Sequence, residues 1–498
     1  MTDREDRVAP KPTWATLFCM GFILYFDSRA GTYLEALLRA FLVFQLQGMD
    51  PHTIKFLADR TLPRGCGVRS FARGKCLKLE RMANTVNLAN VLLSLSDAID
   101  LASSSISQHQ LRTTYIACEL GKQAELSPVL FERLFIAALF HDIGAITVEE
   151  KVSLVEFENV NVVPHSLRGE LLMRRIPLFS SVAGIVASHH REWREWDRPI
   201  TDPDVLLSQI ICLSDHVVRL TKKTPHVLHQ RNAISEMISS WSGTIFNPGI
   251  ADKFLALSKR EEFWLNVLNP RLYSLLFHEG PLRNVEIGFE DMETVSLFFK
   301  DIIDLKSPFT ATHSTGVSVC ADALSDFMGA SSADRLKIRI AGNLHDLGKL
   351  IIPNAILDKG IGLTREEYQI IKSHSYYSYM IMNTIANLGD VAQWGGFHHE
   401  NMDGSGYPFH HSRDKLPIEA RIIAIADVFT ALAEDRPYRK GLPKDDVLRI
   451  ISDMADGGKL DDEIVRRLAY NYDEIADRAI GSQMKVRDFY DKKFATIR

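Results

Sequence analysis

Near the C-terminus the chain reads His398-His399-Glu400-Asn401-Met402-Asp403-Gly404-Ser405-Gly406-Tyr407-Pro408, and upstream it reads His345-Asp346-Leu347-Gly348-Lys349. Adjacent His-His and His-Asp pairs are costly to bury without partners. A pair of cations suits them, because imidazole nitrogen and carboxylate oxygen together match Fe, Mn, Zn or Ni. With His313, His374 and Asp427 the candidate ligands become His313, His345, Asp346, His374, His398, His399 and Asp427. This set exceeds what one tetrahedral ion needs and suits two ions of higher coordination, with Asp346 as the natural shared carboxylate. Two ions ~3.5–4 Å apart lower the pKa of a water between them toward ~7 and arm it for in-line attack on phosphorus. Lys349 follows Asp346 by three residues and shares its face if the helix continues, where its charge would steady the phosphorane. Gly404 and Gly406 permit close backbone approach to a ligand, and Tyr407 offers a ring or a hydroxyl.

The same pattern occurs twice. His109 precedes His141 by 32 residues, as His313 precedes His345, and Asp142 matches Asp346. His165 matches His374, His189-His190 matches His398-His399, and Asp215 matches Asp427. This is a tandem duplication of a unit of about 200 residues, an ordinary domain size. The first copy therefore offers a second candidate metal set: His109, His141, Asp142, His165, His189, His190 and Asp215. His278, His410 and His411 have no counterparts and read as core or surface residues.

These side chains must be positioned by helices. "ERLFIAALFHDIGAI" and "RLKIRIAGNLHDLGKLII" carry apolar residues at helical spacing, "PKDDVLRIISDMA" opens like a helix, and long alternating strands are absent. The expected fold is all-α: two tandem helical bundles, residues 86–290 and 291–498, after a helical segment, residues 1–85, of unknown role. Gly/Pro clusters at 359–362 and 404–408 mark loops. A net charge of −5 over 498 residues gives no general attraction to polymeric nucleic acid. The cysteines, Cys19, Cys66, Cys76, Cys118, Cys212 and Cys320, show no paired framework, which fits a reducing cytosol. Cys118, Cys212 and Cys320 read as packed thiols. Apolar stretches at 17–26 and 37–46 are too short to span a bilayer, so a cytoplasmic protein with no membrane span is expected. "RGCGVRSFARGKC" lacks the glycine spacing of a phosphate loop.

The run from His345 to Lys349, followed by His-His-Glu-Asn-Met-Asp-Gly-Ser-Gly-Tyr-Pro, resembles the HD-GYP domain, a bacterial branch of the HD phosphohydrolase superfamily, from about Asp301 to Tyr470. The resemblance implies an all-α bundle with a di- or trinuclear Fe or Mn centre. It also implies hydrolysis of cyclic di-GMP to pGpG and then GMP, some relatives preferring 3′,3′-cyclic GMP-AMP. Carried over, the seven residues of the second copy are metal ligands, with Asp346 and Lys349 catalytic. Lys349, Gly404, Gly406, Tyr407, Pro408 and Arg436 contact substrate, and Arg439 sits where a second basic residue is usual. Phe309 stands where trinuclear members carry a glutamate, which favours two ions. The first copy resembles the wider HD family but has Ala145 for the lysine, Thr224 for the arginine and "HHREWREWDRPITDP" for the Gly-Tyr-Pro loop. It is expected to be a degenerate regulatory bundle, metal-binding or purely structural, or a hydrolase with another substrate. A non-catalytic adaptor, signalling partners, a homo-oligomer and another HD-type reaction on nucleotide mono- or triphosphates are further readings.

Overall fold

Helix follows helix from Leu88 to Lys493 in the computed structural model, which describes residues 84–101, 108–155, 161–307, 312–359, 362–435 and 440–494. Residues 1–83, with the two apolar stretches, three of the cysteines and the basic segment, lie outside these, as do Phe309, Arg436 and Arg439. Among the described residues the only strands are β1 (Thr85–Asn87) and β2 (Glu286–Gly288), paired in one small sheet. Each precedes the first helix of a repeat. The fold is thus all-α, and no helix among the described residues is long and apolar enough to cross a membrane.

The first repeat runs α1 (Leu88–Asp100), α2 (His109–Gln123), α3 (Pro128–Leu139), α4 (Val163–Arg174), α5 (Ala183–Ser188) and α6 (Pro203–Leu220). The second repeats it as α7 (Phe289–Leu305), α8 (His313–Phe327), α9 (Ser332–Leu344), α10 (Arg365–Asn383), α11 (Gly389–Gly396) and α12 (Ile418–Ala433). Helix starts follow local chemistry. Asn87 and Ser331 accept from backbone N–H groups at the starts of α1 and α9, Asp202 does so before Pro203 on α6, and Thr364 and Glu367 form a capping box on α10. The duplication reaches buried detail. Asp100 accepts from the Gln110 N–H at 2.8 Å, and Asp304 accepts from the Ser314 hydroxyl at 2.6 Å, each donor directly following the first histidine of its unit.

Residues Val86–Arg498 form one compact unit with a continuous apolar core. Phe140 and Phe179 of the first repeat pack on Phe298 and Phe299 of the second, with ring centroids 4.8–5.9 Å apart. The two bundles are therefore fused through an aromatic seam, whose burial in close-packed contact is the main favourable term. A last helix, α13 (Tyr472–Lys493), lies against α8 and closes the second bundle. Its Tyr490 hydroxyl donates to Asp301 at 2.8 Å, and Arg175 of the first repeat pairs with the same carboxylate at 2.9 Å. Cys118, Cys212 and Cys320 are buried free thiols.

Candidate metal centre

Helix α9 ends at Leu344, so His345 and Asp346 sit in the turn beyond it and Lys349 in a short 3-10 segment, Leu347–Ile351. The helix does not continue through Lys349, and its end lets adjacent His and Asp face one site. Gly348 permits this. A Cβ there would lie 1.9 Å from the His374 carbonyl oxygen, and at the equivalent Gly144 it would lie 1.9 Å from that of His165. The turn thus rests directly on the backbone of the helix that supplies the third histidine.

All seven predicted ligands of the second unit converge. His345, Asp346 and His398 form one group able to hold an ion, His313, His345 and Asp427 a second, and His374, His398 and His399 a third. Asp346 is central: its Oδ2 lies 3.2 Å from His345 Nε2 and 2.5 Å from Lys349 Nζ, and its Oδ1 lies 3.3 Å from His374 Nε2. His399 Nδ1 stands 3.9 Å from Asp427.

The ring orientations identify what this cluster is built for. The Nδ1–H groups of His345, His374 and His398 donate to the carbonyls of Gly342, Ile371 and Gly395 at 2.6–2.8 Å. A carbonyl only accepts, so these bonds fix the proton on Nδ1 and leave Nε2 with a bare lone pair. His374 Nε2 and His398 Nε2 then face each other at 3.2 Å, and the buried His345 Nε2, 3.2 Å from Asp346 Oδ2, makes no well-aligned hydrogen bond among the described residues. Lone pairs aimed together beside a carboxylate make a coordinating set, and the residues fit divalent cations.

Electrostatics agree. Burial holds His374 down at about 3 and His398 well below the ordinary imidazole value, so both stay neutral, as ligation requires. Burial would raise Asp346, yet His345 and Lys349 hold it well below the usual carboxylate range. His313 differs. Burial would lower it, but Glu434 and Asp427 push it up to about 10. Its Nε2 faces Asp427 at 2.9 Å and its Nδ1 faces Glu434 at 3.1 Å.

The site opens on one side. His399 is 30% exposed, whereas the other histidines of the set are nearly inaccessible. Over this mouth lies the Gly404–Pro408 loop. The Tyr407 ring packs on His399 at 4.8 Å, with Lys372 Nζ 5.1 Å from its centroid. A Cβ on Gly406 would lie 2.3 Å from the Asn401 nitrogen, so only glycine lets the loop fold this tightly. Buried Glu400 accepts from the Phe409 and His411 N–H groups at 2.7 and 2.9 Å and pins the loop from behind. Sequence reasoning overlooked Glu400, Lys372 and Glu434. Glu434 was within reach, standing two helical turns past Asp427.

The first unit assembles its seven residues as well. Asp142, His165, His189 and His190 form one group and His109, His141 and Asp215 another. His141 and His189 donate through Nδ1 to Ala138 and Val186, as their counterparts do. The mouth differs. His190 is 10% exposed, Ala145 is buried where Lys349 stands, and Arg219 lies 3.4 Å from Asp215. Past His190 the chain turns through Trp193–Glu195, and Trp196 stacks with Arg191. His278 and His410 are exposed, and His411 is half-buried against Phe397 and Phe409, so none of the three joins a cluster.

Comparison with known proteins follows the same division. Models of the HD domain match residues 298–464 and residues 106–220. The 3′3′-cGAMP-specific phosphodiesterase 1 of Vibrio cholerae is 27% identical over 78% of this chain and 93% of its own length. The 3′3′-cGAMP-specific phosphodiesterase 3 of the same organism is 27% identical over 74% and 91%. A cyclic di-GMP phosphodiesterase of Thermotoga maritima is 32% identical over 39% and 54%. Among solved structures, a cyclic GMP-AMP-specific phosphodiesterase of V. cholerae superposes with a TM-score of 0.55 at 24% identity, over 78% of this chain and 98% of that one, a likeness of fold.

Proposed function

The chain belongs to the HD phosphohydrolase superfamily as a tandem HD-domain protein, and on that premise we propose that its second unit hydrolyses a phosphodiester of a cyclic dinucleotide. The observation that carries this reading is the facing pair of Nε2 lone pairs beside Asp346, next to Lys349 and under the Tyr407 loop. Two divalent cations, Fe or Mn, held by His313, His345, Asp346, His374, His398, His399 and Asp427 would polarise the phosphate and supply the nucleophile. The chain's own residues do the rest. Asp346 shares its two oxygens across the cluster. Lys349 extends its ammonium from Asp346 toward the phosphate oxygens and steadies charge developing there. Tyr407 offers its ring to a base, and Gly404, Gly406 and Pro408 shape the wall beside it; Arg436, outside the described residues, is assigned to substrate binding by the family resemblance alone.

The favoured substrate is 3′,3′-cyclic GMP-AMP, because relatives named for it align across both units. Cyclic di-GMP is the second reading, supported by relatives that align over a shorter stretch. Incubation of Mn- or Fe-loaded protein with each dinucleotide, followed by chromatography, separates the two. Loss of the mixed dinucleotide first, with a linear product, is expected; both dinucleotides unchanged would leave a binding adaptor and end the hydrolase reading. The division into residues 86–290 and 291–498 assigns catalysis to the latter. The former serves as a closed, metal-binding regulatory bundle, with the carbonyl-fixed rings of His141 and His189 kept and its phosphate contacts missing. A cytoplasmic signalling role completes the proposal.

A further inference from the structure

Each histidine with a settled ring orientation in the second cluster leans on a backbone carbonyl, except the first. His313 turns its Nδ1 to a buried carboxylate, Glu434 Oε1, at 3.1 Å. Glu434 is itself held: buried Gln483, from α13, donates through Nε2 to Glu434 Oε2 at 3.0 Å and to the Thr312 carbonyl at 3.2 Å. One amide thus ties the residue before His313 to the carboxylate behind its ring. Gly316, one turn along α8, makes room for it, since a Cβ there would lie 2.7 Å from Gln483 Nε2 and 2.5 Å from Thr430 Cγ2.

The duplicated unit serves as an internal control. Lys222 stands where Glu434 would be, and Arg112 where Gly316 would be. His109 Nδ1 is accordingly buried with no hydrogen-bond partner among the described residues. The two ligand sets therefore differ in what supports their first histidine, as they do at the third, where His374 Nδ1 bonds the Ile371 carbonyl and His165 Nδ1 has no partner among the described residues. A carboxylate on the far nitrogen fixes an imidazole's orientation and raises its basicity toward a cation, and losing such a support weakens metal affinity by ~10–100-fold.

We propose that Glu434 and Gln483 are positioning residues, which hold His313 and raise cation affinity in the second unit alone, so that the C-terminal helix α13 is part of that centre. The inference rests on the metal reading of the cluster. It is tested on the full-length chain carrying Asp142→Ala, which removes the first cluster, with Mn2+ as probe. Relative to that parent, Glu434→Gln and Gln483→Ala are expected to raise the Mn2+ dissociation constant, by ~10–100-fold for the former. Turnover should fall at limiting Mn2+ and recover at saturating Mn2+, which a merely misfolded variant would not do. An unchanged dissociation constant in both variants overturns the proposal. In metal-free protein the His313 Nδ1 proton should resonate downfield and move upfield in Glu434→Ala; an unmoved resonance also overturns it. Should the parent take up no Mn2+, the metal reading falls, and the metal-free resonance alone decides this inference.

Discussion

Lys349→Ala separates the two roles a cation beside Asp346 can have. The Lys349 ammonium lies 2.5 Å from the Asp346 carboxylate, the group at the centre of the ligand set. A unit positive charge ~5 Å from a divalent cation, at an effective dielectric constant of ~20, meets about 7 kcal/mol of repulsion. Removing it should therefore leave Mn2+ affinity unchanged or tighten it. Against this, loss of one donor aimed at charge developing in the transition state costs ~10²–10³ in kcat. The two effects have opposite signs, which a general loss of structure cannot produce. The assay pairs Mn2+ titration with chromatographic measurement of dinucleotide cleavage at saturating Mn2+. A variant that turns over at the parent rate, or that loses metal and activity together, would refute this role for Lys349.

Gly406→Ala drives a methyl group into the Asn401 nitrogen and the Glu400 backbone, so activity should fall on the order of 100-fold through misplacement of Tyr407. Metal content should fall less than activity, because of the seven ligands only His399, whose carbonyl the methyl would also meet at 2.5 Å, borders the loop; a proportionate loss of metal would contradict the division. Asp142→Ala should lower metal per chain from about four ions to about two while cleavage persists, as elemental analysis of anaerobically purified protein can check. Burial, with Lys151 nearby, pushes Lys306 down to about 6, and its amine donates to the Leu350 carbonyl. The native state keeps this amine neutral above that pH, while the unfolded chain holds the proton to ~10.4. The unfolded state thus binds more protons in between, and this group makes stability rise with pH from ~6 to ~10.4. Lys306→Met should flatten that rise in urea unfolding; an unchanged slope would count against a neutral buried amine.

Much of the site was legible in the chain because its chemistry is carried by residue type and spacing. The paired histidines, the His-Asp steps and the Gly-Tyr-Pro run all name positions that meet in space, and the duplication repeats them. What was illegible depends on geometry that spacing does not encode. The end of α9 at Leu344 places His345 and Asp346 in a turn, so Lys349 reaches the site from a 3-10 segment and not from a continuing helix face. The ring orientations depend on carbonyls left open near helix ends, at Gly342 and Gly395. Gln483 meets Glu434 across 49 residues and Thr312 across 171, with no motif to announce either contact. The less exposed mouth of the first unit was foreshadowed by its missing loop, yet the carbonyl-fixed rings of His141 and His189 were not.

Anomalous scattering at the manganese edge, from crystals of Mn-loaded full-length protein grown without oxygen, would test the centre itself. Two peaks flanking Asp346, ringed by His313, His345, His374, His398, His399 and Asp427, are expected. Those side chains in the same arrangement with no peak among them would contradict the two-metal account.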